Sequence, residues 1–311
     1  MVRWILAVAF CITNLPFASA NSTVHLRRLN GDLMVVPMLV NGKGPFDFVI
    51  DTGTNATLVD PDLVQQTELR AVGTKLLTAL TGKTVVQRYV LDRLQVGNES
   101  YTQVEVLAQP MPGLHNLDSR IHGILGFDML RLKPFRLDYA HNRMDFFAAE
   151  ESPVIVGGTR VPVEVRDDRI LVRLLADDAP PQGWRLALDT GTPQVIIFRD
   201  RIGPSLLARA GGGRSQDIST AQVITNLSQR AVPILTFRTA VIGGLLFKNV
   251  PVVILPSEMS AQSSLEDGLL PSSIFPAVLF DLANSNLVLN PELADRQASV
   301  KGWSADRHKR P

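Results

Sequence analysis

The tetrapeptide Asp-Thr-Gly-Thr occurs twice, at Asp51–Thr54 and Asp189–Thr192, 138 residues apart. Each copy follows an apolar run, Phe48-Val49-Ile50 in one case and Leu186-Ala187-Leu188 in the other. Two further pairs recur in the same order at nearly the same spacing. Val96-Gly97 with Tyr101 and Val104-Glu105-Val106 matches Ile242-Gly243 with Phe247 and Val250-Pro251-Val252. Gly123-Ile124-Leu125-Gly126 matches Gly268-Leu269-Leu270-Pro271, and each leads to a strand-like run, Arg136–Tyr139 or Val278–Asp281. Three elements repeated in order indicate an internal duplication, so the chain folds as two similar halves. Each half then presents one carboxylate at the end of a buried strand. Two carboxylates held in contact cannot both ionise, so such a pair shares a proton and can activate a water.

The spacing of apolar residues indicates strands through most of the chain. Leu33–Val40 and Phe46–Ile50 flank a hairpin loop at Asn41-Gly42-Lys43-Gly44. Further runs lie at 85–91, 104–107, 161–165, 170–175, 232–237 and 250–255. Helices are expected to be few and short. One starts at Asp60-Pro61, with aspartate as cap and proline in the first turn, and another lies near 204–210.

Residues 1–20 have the pattern of a signal peptide, with Arg3, an apolar run from Trp4 to Ile12, and Ala18-Ser19-Ala20 as the cleavage site. The protein is therefore expected to be exported, to a periplasm or outside the cell. The single cysteine, Cys11, falls in that segment, so the exported chain would carry neither disulfide nor thiol chemistry. No later apolar run is long enough to span a bilayer as a helix. The 31 Lys+Arg against 30 Asp+Glu leave no basic field to attract nucleic acid. The five histidines, at 25, 115, 122, 141 and 308, lack metal-ligand spacing, and no cofactor or metal is expected. No Gly-x-Ser-x-Gly elbow is present. The organisation expected is a leader at 1–20, a first lobe at 21–149, a linker at 150–158 marked by Pro153 and Gly157-Gly158, a second lobe at 159–295, and a polar tail at 296–311.

Over residues 30–291, the paired Asp-Thr-Gly-Thr motifs and their downstream apolar-apolar-Gly element resemble the aspartic peptidase family. The two-lobed chain is similar to pepsin-like enzymes. Its short lobes look like two fused retropepsin-type units, as in bacterial exported aspartyl proteases. The resemblance implies an all-β acid-protease fold of two closed β-barrel halves related by a pseudo-two-fold axis. It implies an aspartic endopeptidase, a hydrolase acting on a peptide or protein as a monomer, with Asp51 and Asp189 as the catalytic pair. Thr52 and Thr190 would cross-link the two loops in the family's "fireman's grip". Gly53 and Gly191 would allow close backbone approach and donate N–H groups toward the carboxylates. Thr54 and Thr192 would bond the outer carboxylate oxygens. A flap hairpin is expected around Thr81-Gly82-Lys83, with Gly82 at or near its tip, and Ser215–Ser228 is its counterpart in the second lobe. The sequence departs from the family pattern at Pro271, where glycine is expected. The alternative is a catalytically silent peptide-binding protein with the same fold.

Overall fold

The turns decide which strands meet. The computed structural model describes residues 22–79, 82–148, 155–176, 179–204, 206, 220–224, 229–256 and 265–293. The first half contains β1 (Ser22–His25), β2 (Arg27–Leu29), β3 (Leu33–Val40), β4 (Lys43–Ile50), β5 (Leu58–Val59), β6 (Ala71–Ala79), β7 (Gly82–Val96), β8 (Glu99–Ala108), β9 (Ile121–Leu125), β10 (Phe135–Asp138) and β11 (Arg143–Phe146). Its short helices are α1 (Pro61–Thr67), α2 (Pro112–Leu117) and α3 (Phe127–Leu130). The second half contains β12 (Ile155–Pro162), β13 (Glu164–Arg166), β14 (Arg169–Ala176), β15 (Trp184–Asp189), β16 (Val195–Phe198), β17 (Thr220–Ile224), β18 (Gln229–Ile242), β19 (Leu245–Leu255), β20 (Gly268–Pro271), β21 (Ala277–Asp281) and β22 (Asn286–Leu293).

Local chemistry sets several of these boundaries. The loop between β3 and β4 needs only two residues, because Asn41 and Gly42 both take positive φ (50° and 78°) and let Val40 pair with Lys43. The four-residue loop read from the sequence is thus too long by two. Asp60 caps α1, its carboxylate accepting from the Asp62 N–H at 2.9 Å, with Pro61 opening the helix.

Each half closes into a barrel. Strands β3, β4, β9, β5, β8 and β7 lie side by side, and β3 pairs again with β7, so the ring of six shuts; β2 and β6 extend it. Strands β14, β15, β20, β16, β19 and β18 close in the same way through β14 and β18, with β13 and β17 appended. The repeated glycines reflect this symmetry. Gly97 and Gly243 both have φ of +57°, and a Cβ on either would come within 2.5 Å or 2.4 Å of the equivalent valine, Val24 or Val161.

A third sheet, in the order β1-β11-β10-β21-β22-β12, joins the barrels. Its centre is the antiparallel pair β10–β21, one strand from each half, in which Phe135 stands opposite Phe280. The two rings stack at 4.4 Å between centroids with 9° between planes. One buried apolar cluster runs from Met34 and Phe48 through these rings to Leu186 and Ile254, so the two halves share a core. On the other face of the central sheet, buried Arg136 donates to Asp145 at 2.9 Å.

The linker expected at 150–158 is shorter in the structure. Residues 155–158 already belong to β12 and pair with β22. The glycines that mark the expected linker sit where the register slips between Ile155 and Thr159, and a Cβ on Gly158 would lie 2.9 Å from the carbonyls of Leu289 and Asn290. They mark a bulge at which two backbones approach closely. The leader (1–20), the polar tail (296–311) and most of the helix expected near 204–210 lie outside the described residues. Among the described residues no helix is long and apolar enough to cross a membrane.

Candidate active site

Both Asp-Thr-Gly-Thr copies sit where a barrel strand ends against the neighbouring half. Strand β4 runs parallel to β9, with Ile50 beside Leu125, and the Asp51 N–H donates to the Leu125 carbonyl at 3.0 Å. Strand β15 runs parallel to β20, with Leu188 beside Leu270 and Asp189 beside Pro271. The two loops then meet and lock together. The Thr52 N–H donates to Thr190 Oγ1 at 2.9 Å, and the Thr190 N–H to Thr52 Oγ1 at 3.1 Å. Each hydroxyl donates onward across the boundary, Thr52 to the Leu188 carbonyl and Thr190 to the Ile50 carbonyl, both at 2.8 Å. All four bonds are buried.

This lock brings the carboxylates together. A Cβ on Gly53 would fall 2.5 Å from Asp189 Oδ2, and one on Gly191 would fall 2.6 Å from Asp51 Oδ1. Each acid therefore lies against the glycine of the opposite loop, and only glycine fits there. The same glycines donate to the acid of their own loop. Gly53 N–H meets Asp51 Oδ1 and Gly191 N–H meets Asp189 Oδ1, both at 2.7 Å. Thr54 holds the other Asp51 oxygen, Oδ2, at 2.6 Å.

Thr192 does not repeat the role of Thr54. Its hydroxyl turns back to its own chain and donates to the Gln194 carbonyl at 3.3 Å. Pro193, which follows, restricts the backbone of the residue before it, and threonine readily makes such local bonds. Asn55 occupies the equivalent place in the first copy.

The second half also lacks a support present in the first. There Thr57 accepts the Gly126 N–H at 3.2 Å, and Asp128 receives both the Thr57 hydroxyl (2.8 Å) and the Thr57 N–H (3.0 Å). Burial raises the proton affinity of Asp128, and its bonds from Thr57 act in the opposite sense. The matching residues of the second half are Val195, Pro271 and Ser273. Proline has no N–H and valine has no hydroxyl, so donor and acceptor disappear together and neither is left unpaired. This is how Pro271 is accommodated. The Thr57–Asp128 pair was not found from the sequence, because 71 residues separate its members.

Asp189 holds its proton well above the usual carboxylate range. Burial is the largest cause, and the Asp51 charge and a hydrogen bond to Asp51 act in the same direction. The Gly191 N–H and the more distant Arg169 oppose the shift. A buried, proton-retaining carboxyl beside a second, more exposed one can donate a hydrogen bond while its neighbour accepts a proton. Among the described residues no group of three or more His, Cys, Asp or Glu side chains is arranged to hold a metal ion.

Each barrel is extended by one hairpin, β6–β7 in the first half and β17–β18 in the second. Strands β6 and β7 pair from Ala71–Tyr89 up to Ala79–Gly82, which makes Gly82 the first paired residue after the turn, next to the tip. Thr81 lies outside the described residues. Leu77 and Val86 of this hairpin pack with Leu58, Leu107 and Ile124, beside the Asp51 loop. In the second half β17 pairs β18 from Thr220–Pro233 to Ile224–Gln229, within the stretch expected as a second flap. Val232 packs with Ile196 and Leu269, the counterparts of Leu58 and Ile124.

Residues 36–129 match a family model described as aspartyl protease. No curated protein matches the chain. Among solved structures, the basic 7S globulin from soybean is similar, with a TM-score of 0.53 and 12% identity, over 87% of this chain and 95% of that one. At that identity the likeness concerns the fold, a pair of β-barrels.

Proposed function

We propose that this chain, a two-barrel member of the aspartyl protease family by its fold and by the match over residues 36–129, is an aspartic endopeptidase that hydrolyses peptide bonds with a water held between Asp51 and Asp189. The observation that carries this reading is the crossed packing of the two acids, each against the glycine of the other loop. Inert turn-forming aspartates would have no reason to converge across the boundary between halves.

The chemistry follows from the asymmetry of the pair. Asp189, the more buried, keeps the shared proton and donates to the carbonyl oxygen of the scissile bond. Asp51 takes a proton from the bound water as its oxygen attacks the carbonyl carbon. The tetrahedral intermediate collapses as Asp51 gives that proton to the leaving amine and a hydroxyl of the intermediate returns one to Asp189, so both acids are restored and no covalent enzyme intermediate forms. The paired carboxylate N–H bonds and the threonine lock fix both acids before substrate arrives, which lowers the reorganisation required at the transition state. The β6–β7 hairpin covers the substrate and adds an extended peptide to its edge. The apolar walls favour apolar side chains near the scissile bond. One chain supplies both acids, so a monomer suffices. We place it outside the cytoplasm because of the leader-like residues 1–20.

The test is cleavage of an unstructured protein between pH 3 and 8 by the wild type and by the Asp51→Asn and Asp189→Asn variants. The reading requires activity in the wild type and its loss in both variants. An inactive wild type at every pH, or equal activity in all three, would leave a silent peptide-binding protein as the better account.

A further inference from the structure

The second lobe's acid lacks two supports that the first lobe's acid has, the Thr57–Asp128 clamp and the Thr54-type bond to a carboxylate oxygen. One buried polar contact near Asp189 is not used by the mechanism above. The Tyr139 hydroxyl shares a hydrogen bond with the Ser272 hydroxyl across the boundary between lobes. Both residues are buried, Ser272 completely, so water cannot take the place of either partner. Ser272 directly follows Pro271, the register partner of Asp189.

We propose that Tyr139 is a positioning residue for the second catalytic acid: donated by the first lobe, it anchors Ser272 and so holds the β20 segment against which Asp189 is aligned. This rests on the reading of Asp51 and Asp189 as the catalytic pair.

The tyrosine is itself held firmly. It follows β10, whose register is fixed by β21 through Asp138 opposite Ala277. The Arg28 guanidinium donates to the Tyr139 carbonyl, and its Nε donates to Asn142 Oδ1 at 3.1 Å, which ties down both ends of the turn. Asp138 Oδ1 accepts the His141 N–H at 3.0 Å inside that turn. Burial also pushes the phenol well above its ordinary range, so the hydroxyl stays neutral wherever the acids work. The duplicated position offers a comparison within the molecule. Tyr139 and Ser272 correspond to Leu282 and Phe127, whose side chains can make no hydrogen bond. The contact therefore exists once, on the side where the local clamp is missing. The ionisable groups that bear on Asp189 are Asp51 from the first loop, Arg169 at the start of β14, and Tyr139.

The test compares wild type, Tyr139→Phe, Ser272→Ala and the double variant. Four readings are taken: kcat and KM on an unstructured protein, the alkaline limb of the pH–rate profile, thermal unfolding, and titration of 13C-labelled aspartate carboxyls by NMR. Either single change is expected to lower kcat about tenfold with KM within about twofold, the loss of one buried hydrogen bond. The alkaline limb should move to lower pH, because a loosened Asp189 gains solvent and holds its proton less tightly. The double variant should be no worse than the worse single variant. A lower melting temperature with unchanged kcat and unchanged limb would overturn the proposal, and so would additive losses. If the wild type proves inactive, the NMR titration decides alone. A lowered Asp189 pKa in Tyr139→Phe would sustain the positioning role without catalysis, and an unmoved one would refute it.

Discussion

Replacing Thr52 by valine removes one oxygen and keeps the shape of the side chain. That oxygen accepts the Thr190 N–H and donates to the Leu188 carbonyl, and Thr52 is 1% exposed. Thr52→Val therefore strands one donor and one acceptor in a site that water cannot reach. At about 1–3 kcal/mol for each buried group left unpaired, the cost is about 2–6 kcal/mol. Valine matches threonine in volume, so no cavity adds to this. The control is Thr52→Ser, which keeps both bonds and deletes one methyl, worth about 0.8 kcal/mol. Thermal unfolding separates the two. A loss of about 3 kcal/mol lowers the midpoint by roughly 4–6 °C in a protein of this size, and the serine variant should fall by about 1–2 °C. Thr190→Val should behave like Thr52→Val, and the double variant should cost less than the sum, because the two side chains share one network. A serine variant less stable than the valine variant would refute the reasoning, since packing and not the hydroxyl would then hold the loops together.

Gly53→Ala should abolish cleavage while leaving circular dichroism near that of the wild type, because its Cβ would press within 2.5 Å of Asp189 Oδ2; activity within tenfold of wild type would contradict this. Asp189→Asn should be more stable than wild type at pH 7 and no more stable at pH 3. The folded protein holds that proton more tightly than the unfolded chain, so its contribution is complete below the unfolded pKa and is lost as pH rises through the raised folded value; denaturation midpoints at the two pH values check the sign. Arg136→Met should destabilise by about 1.5–3 kcal/mol, since it removes the buried cation that donates to Asp145 and leaves only the more exposed Arg143, 3.6 Å away, as denaturant unfolding would register.

Sequence reading found what is written locally or written twice. The Asp-Thr-Gly-Thr copies, the glycines at 97 and 243, and the cap at Asp60-Pro61 each carry their meaning within a few residues. Gly157-Gly158 reads as the end of a linker because a bulge and a linker share the same composition, and only the approach of Leu289 and Asn290 distinguishes them. The central sheet was hidden for another reason. Ser22 pairs with Phe146, and Phe135 with Phe280, at separations where side-chain periodicity says nothing about the partner. Thr192 was misplaced by taking the repeat too literally, when Pro193 had already altered the second copy.

The pairing of β10 with β21 has a consequence for any attempt to divide the molecule. A lobe produced alone would end in a bare row of amide and carbonyl groups beside an uncovered Phe135 or Phe280. Such a margin recruits another copy of itself. Separated lobes would accordingly be sticky, and co-expressing them in one cell should yield soluble material that neither gives by itself.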